Sequence, residues 1–312
     1  MNSIYKKRVL VTGSDSMIGT QVRFHLMYQG AIVCSCSHDW VDLLDFNRTK
    51  EVFTHSKPDY VIHLATYSGN IQFNQKYPAD TFFRTTQIGL NVLRASQELG
   101  IKKVVSILSS CAIADCGKDE LKESDLWIGK PNPSIECHGF AKRNLDAYSR
   151  QISKQFGLTY VTCIVNNSYG PKDSFSIEKT KVIGALIKKF VDAKKQNLDE
   201  VVCWGTGKPL REFIYCGDAG DGIVQVLEKY DDVDEPINIT SGQEISIKDL
   251  TIMIADIVGY KGAIEWDTSK GDGQMRKKLN MDKMNKYINI KFTPLRVGLE
   301  NTIKWYKEKY DA

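Results

Sequence analysis

The 312-residue chain has no apolar run of the ~18–20 residues that a membrane-spanning helix needs. Its start, MNSIYKKRVLV, runs into a strand-like segment and shows no cleavage pattern of a secretory signal. A soluble, cytoplasmic protein with no membrane partner is expected. Charge of one sign is equally scarce. Lys and Arg number 42 against 38 Asp and Glu, and a formal charge of +4 is too slight and too evenly spread for a nucleic-acid footprint. The eight cysteines (34, 36, 111, 116, 137, 163, 203 and 216) form no C-x-x-C pair, which argues against a disulfide framework. Cys34-Ser35-Cys36 lies in a strand-like run with no second ligand pair at finger spacing, so it reads as strand lining, and no metal site is expected. Charged residues at 26% and aromatics at 10% disfavour disorder, collagen and coiled coil.

What is present is a strand–helix alternation. Strands are predicted at Arg8–Thr12, Ala31–Cys36, Tyr60–Ala65, Lys103–Leu108 and Thr159–Val165. The intervening helices include Ile18–Gln29, Phe83–Leu99 and one from about Phe140 to Phe156, each followed by a glycine suited to the position after a helix end. Such alternation calls for an α/β fold, a doubly wound parallel sheet wrapped by helices. After about residue 170 the pattern loosens. Ser246-Ile247-Lys248-Asp249 starts a helix to Ile257, and Thr293-Pro294 starts a last one. Residues 1–170 are therefore expected to form the nucleotide-binding domain, with some later segments returning to it, and residues 171–312 a smaller C-terminal α/β lobe.

The first strand runs through Thr12-Gly13-Ser14-Asp15-Ser16-Met17-Ile18-Gly19 into a helix. In that setting the glycines matter, because the turn aims backbone N–H groups and a helix N-terminus at a pyrophosphate. The middle glycine of the dinucleotide fingerprint is Ser16, whose Cβ would push the phosphates away or whose hydroxyl would bond one. The end of the second strand, Cys36-Ser37-His38, has no carboxylate to repel a ribose 2′-phosphate, which favours NADP(H) over NAD(H). Asp42 and Leu43 are candidate adenine contacts, the alternative being a solvated loop.

In order along the chain stand the glycine loop, His63-Leu64-Ala65, Leu108-Ser109-Ser110-Cys111 and Asn167-Ser168-Tyr169-Gly170-Pro171. Together they resemble the extended short-chain dehydrogenase/reductases, whose sheet is Rossmann-type. Trp204-Gly205-Thr206-Gly207-Lys208-Pro209-Leu210-Arg211-Glu212-Phe213-Ile214-Tyr215 and Asp272-Gly273-Gln274-Met275-Arg276-Lys277 narrow the resemblance to the GDP-L-fucose synthase group, the GDP-4-keto-6-deoxymannose 3,5-epimerase-4-reductases. The resemblance spans about residues 7 to 310. It implies a GDP-sugar site lined by Asn167, Trp204, Arg211, Asp272 and Lys277, with Leu64 and Ala65 beside the cofactor, and a homodimer built through the two long helices. Arg211 offers a donor fork to a diphosphate, Lys277 a point charge and Trp204 an aromatic face. Core packing is the alternative for Trp204.

The resemblance further implies catalysis by Ser109, Cys111 and Lys142, the last also touching the cofactor. At the tyrosine position of the Tyr-x-x-x-Lys pair stands His138, at a downstream histidine position Lys181, and at an asparagine position Thr86. Epimerisation beside a ketone needs a base and an acid on opposite faces, roles open to Cys111 and Lys181. Reduction needs a proton for the alkoxide. An imidazolium at His138 could supply it, but the nearby Lys142 charge would push the imidazole toward its neutral form, so reduction is expected to be slow or favoured at low pH, with Ser109 as oxyanion donor, unless His138 is a structural histidine. Two readings follow: an active NADP(H)-dependent GDP-sugar epimerase/reductase, or a diverged homologue that binds GDP-sugar as an epimerase only or a non-catalytic partner.

Overall fold

The computed structural model describes residues 3–114, 116–176, 178–269, 271–272 and 274–310. Gly273, within the run from Asp272 to Lys277, lies outside the described residues. Strands β1 (Arg8–Thr12), β2 (Ile32–Cys36), β3 (Tyr60–His63), β4 (Lys103–Ser109) and β5 (Thr159–Val165) form in the apolar, β-branched runs that predict them. Helices α1 (Met17–Tyr28), α2 (Phe46–Ser56), α3 (Ile71–Lys76), α4 (Pro78–Glu98) and α5 (Glu136–Phe156) alternate with them.

Two helix starts differ from the sequence reading. The helix expected from Phe83 begins at Pro78, whose fixed φ and missing N–H suit a first turn. The helix expected from about Phe140 begins at Glu136 and ends, as anticipated, at Gly157 in the left-handed conformation, φ 66°. This earlier start puts His138 and Lys142 on one face of α5, one turn apart. The strand expected to reach Ala65 stops at His63, because the Leu64 and Ala65 amides turn inward to the Thr12 hydroxyl.

A single residue, Asn166, separates β5 from β6 (Asn167–Tyr169). Strands β7 (Glu200–Trp204), β8 (Leu210–Tyr215), β9 (Ile237–Ile239), β10 (Glu244–Ser246), β11 (Ala263–Asp267) and β12 (Arg276–Lys277) follow. Between and after them lie α6 (Val182–Lys195), α7 (Cys216–Lys229), α8 (Ile247–Val258), α9 (Asp282–Tyr287) and α10 (Leu295–Tyr310).

The large sheet has six strands in the order β2-β1-β3-β4-β5-β9, every neighbouring pair parallel. A parallel sheet must be covered on both faces, and alternation along β1 assigns them. Val9 and Val11 face a core shared with Val22 and Leu26 of α1 and Ile223 and Leu227 of α7. Leu10 faces the other, with Phe53 of α2, Val92 of α4 and Leu145 of α5. The late elements α7 and β9 thus complete the large sheet. Strand order reverses between β1 and β3, and ligands of such sheets bind in the crevice outside the carboxyl ends at that point.

In the smaller assembly β8 is flanked by antiparallel β10 and parallel β12, and also pairs with β6 in parallel, while β7 pairs with β11. Phe190 of α6, Leu250 and Ile254 of α8, and Leu299 and Tyr306 of α10 fill its core. Helix α8 starts at Ser246, whose Oγ accepts from Asp249 N at 3.0 Å. Among the described residues no helix is long and apolar enough to cross a membrane.

Candidate active site

The phosphate loop is built from backbone contact. Gly13 has φ 66°, and a Cβ there would sit 3.0 Å from Ala65 N, so glycine lets the loop lie on the end of β3. A Cβ on Gly19 would fall 2.2 Å from Gly13 O, so turn and helix meet with no room for a side chain. Gly13 N and Ser14 N donate to Cys36 O at 2.9 and 3.4 Å, stitching the loop to β2. Thr12, which the sequence reading does not single out, joins β1 to β3. Its Oγ1 shares a 2.8 Å bond with His63 Nδ1 and accepts from Leu64 N and Ala65 N at 3.2 and 3.3 Å. Its only sequence signal is its place directly before Gly13.

Ser16 caps α1. Its Oγ donates to Gly13 O at 2.8 Å and accepts from Gly19 N at 3.0 Å, so the hydroxyl is committed within the loop. Ser16→Gly removes the cap at a cost of only a few tenths of a kcal/mol and releases the Gly19 N–H. Calorimetric titration with NADP+ is expected to show binding about tenfold tighter, the worth of one added bond to a charged group. Unchanged or weaker binding would mean that the cap shapes the loop. Met17 and Ile18 are half-buried at the start of α1, and His38 and Asp42 are exposed. Leu43, the other candidate adenine contact, is buried. Its side chain packs in the core and its carbonyl accepts from Asn91 Nδ2 at 2.9 Å, leaving Asp42 as the exposed member of the pair.

At the end of β4 a single 3-10 turn, Ser110–Ala112, carries Cys111, and Ser109 Oγ accepts from Cys111 N at 3.3 Å. The first turn of α5 lies flush against it, since a Cβ on Gly139 would come 2.9 Å from Cys111 O. Lys142 is buried and its Nζ donates to Ile107 O at 2.9 Å, while burial pulls its pKa down to about 8. His138 is buried too, with Nδ1 lacking a hydrogen-bond partner. Burial first, then the charges of Lys142 and Lys181, pushes its pKa down to about 3. Lys181, exposed at the start of α6, is thus close enough for its charge to act on His138. His138 is therefore uncharged near neutral pH, the form toward which the neighbouring Lys142 charge is expected to push it, with burial as the larger cause. Thr86, on α4, has a buried Oγ1 with no partner. A Tyr-x-x-x-Lys spacing does occur once, at Tyr287 and Lys291, but Tyr287 closes α9 and Lys291 lies beyond it, so the two do not share a helical face.

Across the crevice, β12 runs parallel to β8 with Lys277 in register with Arg211. Lys277 is buried and Arg211 half-buried, its Nη1 donating to Leu210 O at 2.8 Å. Asn167 Nδ2 donates to Glu212 O at 3.1 Å. Asp272 holds its own loop. Its carboxylate accepts from Thr206 N at 2.9 Å and Thr206 Oγ1 at 2.6 Å, and these bonds hold its pKa below the usual carboxylate range. Trp204, at the end of β7, is 61% exposed, which overturns its reading as core packing.

The model of the NAD dependent epimerase/dehydratase family matches residues 9–240. The chain belongs to that family. GDP-L-fucose synthase 1 of Arabidopsis thaliana is 34% identical over 303 residues, which cover 96% of this chain and 93% of that protein. The GDP-L-fucose synthetase of Naegleria fowleri, solved bound to NADP, superposes with a TM-score of 0.92 at 28% identity, covering 100% of this chain and 96% of that one. A GDP-mannoheptose C4 reductase of Campylobacter jejuni, solved with NADP, gives 0.87 at 26% identity, with 97% and 98% covered. The resemblance to GDP-L-fucose synthases and the Rossmann-type fold read from the motifs are both borne out for this family member.

Proposed function

We propose that this epimerase/dehydratase family member is an NADP(H)-dependent enzyme that epimerises and reduces a GDP-4-keto-6-deoxy sugar. The observation that carries the reading is the buried pair His138 and Lys142, one turn apart on α5 and packed against the Ser109–Cys111 turn, with the Arg211–Lys277 edge on the smaller sheet. The tight backbone turn at Gly13 and Gly19, packed on Ala65 and leading into the N-terminus of α1, suits a cofactor pyrophosphate. Residues 13–19, His38, Asp42, Leu64, Ala65 and Lys142 would hold the cofactor, and when bound it supplies a hydride to a carbonyl carbon.

The chain's own residues handle the protons and the diphosphate. Arg211 and Lys277 neutralise the diphosphate, Trp204 offers an aromatic face, and Asn167 orients the sugar. Cys111 removes the proton next to the ketone, and Lys181 returns one to the opposite face. Ser109 bonds the developing oxyanion. Neutral His138 donates its N–H to the carbonyl oxygen, and Lys142, with a pKa near 8, restores that proton. The same reading includes a two-fold homodimer through α4 and α5, for which Phe82 and Phe83 supply exposed apolar surface on α4.

The test supplies GDP-4-keto-6-deoxymannose in D2O with and without NADPH and follows deuterium at C3 and C5 alongside NADPH oxidation. Exchange together with oxidation is expected. Exchange alone would leave an epimerase, and neither would exclude this substrate.

A further inference from the structure

Beside Arg211 on β8 lies Glu212, a carboxyl wholly out of water that none of the steps above employs. Its Oε2 accepts from Asn166 Nδ2 at 2.8 Å, Thr240 Oγ1 at 3.0 Å and Leu279 N at 2.8 Å. Two donors mark places where the chain passes between the large and the small sheet, and the third lies where it leaves the small sheet and enters the core beneath the large one. Asn166 separates β5 from β6, Thr240 follows β9, and Leu279 lies just past β12. Glu212's own carbonyl accepts from Asn167 Nδ2, so the residue holds both ends of that crossing. Oε1 is buried without a partner, and burial pushes the carboxyl's pKa up.

The bonds continue from Leu279 toward the catalytic turn. Leu121 N donates to Lys278 O at 2.8 Å, Asn280 N to Leu121 O at 2.9 Å, and Asn238 Nδ2 to Leu121 O and Asn280 O at 3.3 and 3.0 Å. Leu121 belongs to the segment that leaves the Cys111 turn. Alternation along β8 puts the Arg211 and Glu212 side chains on opposite faces, so an anchor at Glu212 does not compete with a ligand at Arg211.

We propose that Glu212 is a positioning residue that sets Arg211, Asn167 and Lys277 against the carboxyl ends of β5 and β9, fixing where a GDP-sugar bound at the β8–β12 edge presents its sugar. The inference rests on the reading of that edge as the GDP site. Cofactor binding, centred on β1 and β3, is independent of this anchor. Loss of Glu212 therefore acts on GDP and not on NADP+.

Calorimetric titration of the full-length protein with GDP and with NADP+ separates these effects. Glu212→Ala strands three buried donors and is expected to weaken GDP binding by about 30-fold or more, with NADP+ affinity held within about threefold. Glu212→Gln keeps one carbonyl oxygen for the same donors and is expected to restore GDP binding to within about threefold of the parent. If Glu212→Ala does not fold, Thr240→Val removes one donor at nearly constant shape and is expected to cost about fivefold in GDP affinity alone. GDP and NADP+ weakening together, or GDP unchanged in the variants, would overturn the positioning role. Failure of the parent protein to bind GDP would instead remove the GDP-site reading, and this inference with it.

Discussion

Lys142→Met is expected to lower NADPH oxidation with the keto-sugar by about 10³-fold or more, within the range of a lost general acid. Burial brings the ammonium to a pKa of about 8, far closer to neutrality than an exposed lysine, and its bond to Ile107 O fixes it below the Ser109–Cys111 turn. The acid must be protonated to act, so reduction by the parent enzyme is expected to be level from about pH 6 to 7 and to fall as Lys142 deprotonates above about pH 8. His138 contributes no slope there, because it is already neutral. The variant also removes one of the two lysine charges that depress His138, so the imidazole titration should move upward from about 3 while burial, the larger cause, still keeps it below an ordinary histidine. Initial rates across pH 5.5 to 9 and imidazole resonances in parent and variant provide the check. A variant within tenfold of the parent would remove Lys142 as the proton source. A parent rate that climbs toward pH 5.5 would reinstate an imidazolium at His138.

The contrast between the two residues shows where sequence reading reaches. Strands β1 to β5 and the Gly13–Gly19 turn were legible because apolar period and glycine spacing are local properties of the chain. The pairing of His138 with Lys142 came from the family resemblance, since a helix read from about Phe140 left His138 outside it, and the start at Glu136 is what stacks the two on one face. The push of the Lys142 charge on His138 was legible, but the larger cause of both shifts, burial under segments distant in sequence, was not. Ser16 stood out as a departure from the fingerprint that would either push a phosphate away or bond it, whereas its hydroxyl closes the first turn of α1. Thr12 and Glu212 escaped notice for a related reason. Each bonds segments far from it in sequence, Thr12 to residues 63–65 and Glu212 to residues 166, 240 and 279. Asp272 was visible within its motif, but its bonds to Thr206 make it a loop fastener.

Acid should destabilise the fold well before its carboxylates are all protonated. Burial pushes both His63 and His138 down to about 3, with the Lys142 charge adding to each. Their folded-state values lie below the unfolded value of about 6.5, so the stability they contribute is fully present above that pH and is lost as pH falls from 6.5 toward 3. At pH 5 each histidine costs about 2 kcal/mol relative to neutrality, together about 4, a large part of the 5–15 kcal/mol typical of a folded domain. Buried Glu123, Glu212 and Asp218 act in the opposite sense. Burial raises their pKa, so protonation relieves a cost they carry near neutrality and partly offsets the histidines. Urea unfolding at pH 7.5 and pH 5.0 is expected to show a net loss, and His63→Gln should shrink that loss by about 2 kcal/mol. If the parent is equally stable at both pH values, or the loss is the same with and without His63, the buried histidines do not set the acid limit of this fold.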